Sequence, residues 1–199
     1  LATEQEYWDR FTRGTWACDA MIDEADDWMR AQIDAQRPFL LVYASPVPHL
    51  ALQVPPERLE QFDGMDEAHY LGNKGYLPHP RPRAAYAAMI NSFDAEIGRL
   101  MATLEETGVA DNTIVVITSD NGPSWVGGVD MKYFNSQGGL RGRKAQIWEG
   151  GIRVPTVVRW PGVVEPGSSN AVPSGFEDWL PTFAAAAGGT RPDAVDGID

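Results

Sequence analysis

Two adjacent residues, Asp120 and Asn121 in the segment TSDNG at 118–122, end an apolar strand-like run with a carboxylate and an amide oxygen. Side chains of this kind at a strand exit suit a hard divalent cation, which prefers oxygen ligands. Further along, LRGRKAQIWEGGIRVP carries Lys144 in a cationic, glycine-rich setting that suits an anion. The two together point to metal-assisted chemistry on an oxyanion ester. Each also has a plainer reading. Asp-Asn-Gly is a common turn after a strand, because Asn and Gly tolerate positive φ, and a lysine beside a glycine is often only solvated. Two oxygen ligands do not complete a cation site, and nothing else in the sequence presents a comparable pair at a strand end.

His49 follows an apolar run inside PVPHLALQVPPE, whose prolines hold an extended loop and would keep a general acid or anion ligand in place. A structural histidine fits there equally well. His69 and His79 fall in a long polar loop and read as ordinary surface residues. Arg141 and Arg143 could make bidentate contacts with an acidic substrate or could simply be solvated. Arg153, in EGGIRVP, reads as the partner of a nearby carboxylate such as Glu149.

The elements that must position these groups come from the apolar pattern. A helix is expected over 17–35, where Met21, Ile22, Ala25, Trp28, Met29 and Ile33 recur near a 3.6-residue period before Pro38. PFLLVYAS at 38–45 reads as a strand buried on both faces, as in a parallel sheet covered by helices. Residues 63–83 read as a long exposed loop. A helix over 83–107 is expected to carry the stripe Tyr86, Met89, Ile90, Phe93, Ile97, Leu100 and Leu104, with Gly108 as its stop. TIVVITS at 113–119 and VPTVVRW at 154–160 are the next strands. A last helix takes Asp178 as N-cap, Pro181 in its first turn and Gly188 as its end. This order argues for an α/β fold with a largely parallel sheet flanked by helices and with sites at the strand carboxyl ends.

Composition narrows the function further. The 199 residues are 43% hydrophobic and 22% charged, with a formal net charge of -12. That charge disfavours nucleic acid and anionic membrane surfaces as partners. No apolar run reaches the roughly 18–20 residues of a membrane span. Residues 131–148 are the exception to the acidity, holding Lys132, Arg141, Arg143 and Lys144 and no acid, and an anionic substrate is expected there. Cys18, the single cysteine, permits no intrachain disulfide and reads as a small buried apolar residue. The opening LATEQEYWDR has neither a basic n-region nor an apolar h-region, so no signal peptide is expected within these residues. The lack of an initiator Met suggests that others precede them.

Four segments taken together, PFLLVYASPVPHLALQVPPERLEQF, YAAMINSFDAEIGRLMATLEETGVADNTIVVITSDNGP, LRGRKAQIWEGGIRVPTVVRWPG and FEDWLPTFAAAAG, resemble the sulfatase family of the alkaline-phosphatase-like superfamily. They occur in that family's order and cover nearly the whole chain. The resemblance implies part of an alkaline-phosphatase-like sandwich, with 1–199 as the latter part of a catalytic domain incomplete on its N-terminal side. It implies that Asp120 and Asn121 ligate Ca2+ or a similar divalent ion that binds the sulfate group. It further implies that His49 and Lys144 contact the sulfate, with His49 a candidate proton donor to the leaving oxygen. The implied reaction is hydrolysis of a sulfated carbohydrate or aryl sulfate, and the implied location is periplasmic or extracellular.

The sequence departs from the family pattern in lacking the C-x-P-S-R-like motif whose Cys or Ser becomes the formylglycine nucleophile; CDAMI at 18–22 does not fit it. The family's aspartate pair after the first strand is also missing, as are its upstream Arg and Lys-x-His sulfate contacts. Formylglycine and the remaining metal ligands are therefore expected upstream, and no turnover is expected of these 199 residues by themselves. Where many relatives read Gly-Gly-Lys, this chain has Gly142, Arg143 and Lys144, and Arg143 could bias the site toward an acidic sugar. Two other readings stay open: a phosphodiesterase or phosphonate monoester hydrolase of the same superfamily, or a degenerate homologue that only binds.

Overall fold

The structure, a computed structural model, describes residues 14–65, 69–72 and 76–199. The opening segment 1–13 and parts of the 63–83 loop, residues 66–68 and 73–75, lie outside the described residues. The chain divides at Val163 and Val164 into two compact units.

In the first unit, helix α1 spans Ala17–Asp34, as its apolar period predicts, and buries Cys18, Ile22, Ala25 and Met29 on one face. The chain leaves the helix through Gln36, held at φ 51, whose N–H donates to the Ile33 carbonyl at 2.9 Å. Helix α2 spans Pro82–Glu106, with Pro82 in the first turn, where its missing N–H costs no hydrogen bond. Its buried face keeps Tyr86, Met89 and Leu104 of the expected stripe and adds Ala85, Ser92, Glu96 and Thr103, whereas Ile90 is 43% exposed. The two helices are locked by polar contacts as well as packing. Asp26 on α1, buried, takes Arg99 of α2 at 3.1 Å and the Thr103 hydroxyl at 2.5 Å. Although burial opposes ionisation, these donors hold its carboxyl below the usual range.

Strand β1 (Val115–Thr118) pairs with β2 (Thr156–Arg159), both where the apolar runs place them. Their direction does not follow the parallel expectation. They are antiparallel, with Val115 opposite Arg159 and Thr118 opposite Thr156. The segment 119–155 leaves and returns at the same edge, so the start of β2 lies beside the end of β1. The hydroxyls of Thr118 and Thr156 meet at 2.9 Å there. At the other end Arg159 donates to the Ala110 carbonyl and pairs with Glu105 and Asp111, tying β2 to the end of α2.

The expected strand at 38–45 is also corrected. It is extended but forms no ladder among the described residues. Phe39 and Leu41 pack toward Met29 and Leu104, whereas Leu40 and Val42 are 67% and 79% exposed. A run becomes a strand only when another backbone satisfies its N–H and C=O groups, and among the described residues no ladder does so here.

His79 departs from expectation as well. Far from being a surface residue, it is buried, and its backbone exchanges hydrogen bonds with Tyr70 at 2.9 and 2.8 Å. Its Nδ1 accepts from the Arg81 N–H at 2.9 Å, just before α2 begins. Burial lowers its pKa to about 4, with the Arg81 charge acting in the same direction. Because the folded value lies below the unfolded one, the stabilisation is complete above pH 6.5 and is lost as pH falls toward 4. That loss should amount to up to about 3 kcal/mol. Urea unfolding at pH 7 and at pH 4.5 should show it, and His79→Gln should flatten the acid-side slope. His69, by contrast, is exposed as expected.

The second unit, Val164–Asp199, contains helix α4 (Trp179–Ala186), preceded by a short 3-10 turn; the one-turn helix α3 is described with the site. Pro181 lies in the first turn of α4, and Gly188 follows its end at φ 73. Asp178 does not cap this helix with its side chain. Its carboxylate accepts from the N–H groups of Gly175 and Ile198, each at 2.9 Å, which lowers its pKa.

Candidate active site

β1 ends at Thr118 and delivers Ser119, Asp120 and Asn121 into a cleft of about 1180 Å³. Asp120 is exposed there and Asn121 half-buried. The Asn121 amide donates to Asp120 Oδ1 at 2.6 Å, so the pair is locked side by side. The remaining carboxylate oxygen and the amide oxygen form a hard, all-oxygen donor set of the kind Ca2+ takes. Ca2+ needs six to eight such ligands. Among the described residues no group of three or more His, Cys, Asp or Glu side chains could hold a metal ion. These two residues therefore fit a hard cation in kind but supply only part of its coordination.

Lys144 reaches the same cleft through a backbone fold built on glycines. Its N–H donates to the Pro123 carbonyl at 3.1 Å, and the Gly122 N–H donates to the Gly151 carbonyl at 2.9 Å. Gly150 N–H donates to the Arg141 carbonyl at 2.7 Å, closing the loop onto the first turn of α3 (Glu149–Ile152). Side chains would prevent this approach. A Cβ on Gly122 would strike the Gly150 carbonyl oxygen, and one on Gly151 would strike that of Gln146. Gly142, at φ 94, packs under Trp148. The glycines thus bring Lys144 against the residues that follow β1.

His49 lines the cleft from the other side and is exposed. Its N–H donates to the Pro46 carbonyl at 2.9 Å, closing a turn, and Val47 within that turn is buried against the core of Cys18, Tyr86 and Met89. The His49 Nδ1 lies 2.9 Å from the Leu50 carbonyl oxygen. A carbonyl can only accept, so Nδ1 carries a proton and Nε2 is the nitrogen left for chemistry.

His49, Asp120, Asn121 and Lys144 thus line one cleft, joined by Arg153, whose 3.6 Å pairing with Glu149 is the one expected for it. Arg141 and Arg143 do not line it. Their guanidinium groups stack on Trp148 and Trp125, at 3.4 and 4.4 Å from the ring centroids. Arg143 Nε is buried with no partner among the described residues. The basic island therefore contributes one cation, Lys144, to the cleft wall.

Glu96 was missed in the sequence. It lies on the buried face of α2 and accepts from the hydroxyls of Tyr43 and Ser45, each at 3.0 Å; both of these residues line the cleft. The signal was present: Glu96 falls seven residues after Met89 on the inward face, and Tyr43 and Ser45 share one side of an extended run. Cys18 lies beside this cluster and is buried as expected, its thiol pushed up to about 11 chiefly by burial. Among the described residues no helix is long and apolar enough to cross a membrane.

Comparison with known proteins identifies the family. The family model described as Sulfatase matches residues 2–189. Steryl-sulfatase of Rattus norvegicus is 42% identical over 119 residues, 58% of this chain and 21% of that protein. Arylsulfatase A of Homo sapiens is 33% identical over 176 residues, 88% of this chain and 30% of that protein. The crystal structure of Ps i-CgsB in complex with k-i-k-neocarrahexaose superposes with a TM-score of 0.75 at 29% identity, covering 94% of this chain and 38% of that one. The chain thus spans less than a third of the length of the two curated relatives described. It belongs to the sulfatase family.

Proposed function

We propose that this chain forms the latter part of the catalytic domain of a sulfuric ester hydrolase acting on a sulfated carbohydrate or aryl sulfate, in which His49 and Lys144 serve the ester and Asp120 and Asn121 serve a divalent cation. The observation that carries this reading is the meeting of these four residues in one cleft. Ca2+ held by Asp120 and Asn121 would supply positive charge for the sulfate oxygens, and a formylglycine contributed by sequence outside these residues would supply the nucleophile.

Lys144 places an ammonium where negative charge stays on the sulfate oxygens during cleavage. His49, with Nδ1 donating to the Leu50 carbonyl, can give a proton from Nε2 to the departing alcohol oxygen. The 29% identical Ps i-CgsB, with its neocarrahexaose, favours a carbohydrate as the substrate. Arg143 stacks on Trp125 outside the cleft wall, and its proposed contact is with an acidic sugar unit beyond the scissile group.

In the complete protein, Lys144→Ala should lower kcat/KM for a sulfate ester by about 10² to 10³. Arg143→Gly should raise KM for acidic sulfated sugars while leaving a small aryl sulfate unaffected. Steady-state kinetics on the two substrate types separates these effects. A Lys144→Ala enzyme with unchanged kcat/KM would remove the lysine from the site.

A further inference from the structure

Glu96 is 5% exposed, in the core beneath the cleft, and its Oε1 has no hydrogen-bond partner among the described residues. A carboxyl group in such a place is poorly matched to its surroundings, and burial raises its pKa. A leucine or methionine there would pack without an orphaned oxygen, so the acid calls for a reason beyond packing. Its bonded oxygen supplies one. Oε2 accepts from Tyr43 and from Ser45, two alternate residues of the run that leads directly to His49.

That run forms no ladder among the described residues, so backbone pairing with them does not fix its end. Beyond Ser45 the path to His49 is short and stiff: Pro46, Val47 and Pro48, with Val47 buried and the His49 N–H bonded to the Pro46 carbonyl at 2.9 Å. A displacement at Ser45 would therefore reach His49 with little loss. We propose that Glu96 is a positioning residue, anchoring Tyr43 and Ser45 to helix α2 so that the 46–49 turn holds the His49 imidazole in register with the ester's leaving oxygen. The inference rests on His49 as the proton donor, and Glu96 itself touches no substrate.

The anchor predicts a pattern that simple loss of stability does not. A mispositioned acid matters most when the leaving group is a poor one. In the complete enzyme, Glu96→Leu should lower kcat for an alkyl or sugar sulfate by about 10² with KM nearly unchanged. It should lower kcat for nitrophenyl sulfate, whose leaving group needs little protonation, by no more than about threefold. Glu96→Gln keeps an oxygen for both hydroxyls and should restore most of the alkyl sulfate activity. Hydrogen exchange gives a readout independent of turnover. The His49 amide should exchange faster in Glu96→Leu and at the wild-type rate in Glu96→Gln, with the amides in the middle of α2 unchanged in both.

If Glu96→Leu fails to fold, the double variant Tyr43→Phe, Ser45→Ala removes the donors and leaves the acid, and the same kinetic split and exchange change are expected. Equal losses for both esters, or an unchanged His49 amide, would overturn the anchor. His49→Ala serves as the control. If it shows no leaving-group-dependent loss, the proton-donor role fails, while the exchange measurement still decides whether Glu96 holds the turn.

Discussion

Replacing His49 with alanine is expected to lower kcat by about 10² to 10⁴ for sulfate esters of alcohols and sugars. The bond between Nδ1 and the Leu50 carbonyl, at 2.9 Å, sets the geometry. It fixes the ring's orientation and assigns one proton to Nδ1, so the protonated ring has a single free N–H, at Nε2. An alkoxide is a poor leaving group in water, and a proton delivered as the S–O bond breaks removes the developing charge. A nitrophenolate carries that charge unaided, so the same variant should lose far less with nitrophenyl sulfate. Rates for the two esters, wild type against His49→Ala, provide the check. A loss of equal size for both would mean that His49 binds the ester without protonating it.

Alanine at Gly122 or Gly151 is expected to destabilise the protein by about 3 kcal/mol and to abolish the site with it. At both positions the new methyl would meet a backbone carbonyl, that of Gly150 or of Gln146, and backbone atoms cannot swing aside as a side-chain end can. To make room at 122, the 141–151 loop must part from 120–123, breaking the Gly122 to Gly151 and Lys144 to Pro123 hydrogen bonds; at 151, the 143–146 turn that carries Lys144 must itself open. Lys144 would then lose its position relative to Asp120. Gly98→Ala is the matched control, since a Cβ there meets nothing within 4 Å and the residue lies inside α2. That change should leave stability equal or improve it by about 0.5 to 1 kcal/mol. Thermal unfolding of the three variants beside wild type measures the contrast.

The candidate residues could be picked out by type. Asp120, Asn121, Lys144 and His49 each stand at the end of an apolar run or in a stiff loop, where a reactive group is held and reachable. That they share a cleft could not be read from spacing, because it depends on glycine backbones meeting across 122, 150 and 151. The arginines show the limit of charge alone. Arg141 and Arg143 sit in the basic island, yet each lies over a tryptophan, a choice set by close packing that no pattern announces.

The fold divides in a similar way. The long helices were legible because an amphipathic period repeats over many turns. Sheet direction was not, since it depends on where the glycine-rich path from 119 to 155 returns, and that path has no period. Apolar continuity at 38–45 suggested burial on both faces, but only alternate residues face the core. Glu96 and His79 were hidden for one shared reason: polar residues within or beside a polar loop or an amphipathic stripe read as solvated, and only three-dimensional packing shows them buried.

Whether Asp120, Asn121, His49 and Lys144 form one sulfate-ester site is open to direct measurement. Sulfate release from nitrophenyl sulfate by the complete protein, wild type against Asp120→Ala across a calcium titration, tests it most directly. The wild type should turn over and Asp120→Ala should lose about 10² or more, with any residual activity needing more calcium. Sulfate release that is the same in both proteins at every calcium concentration would contradict it.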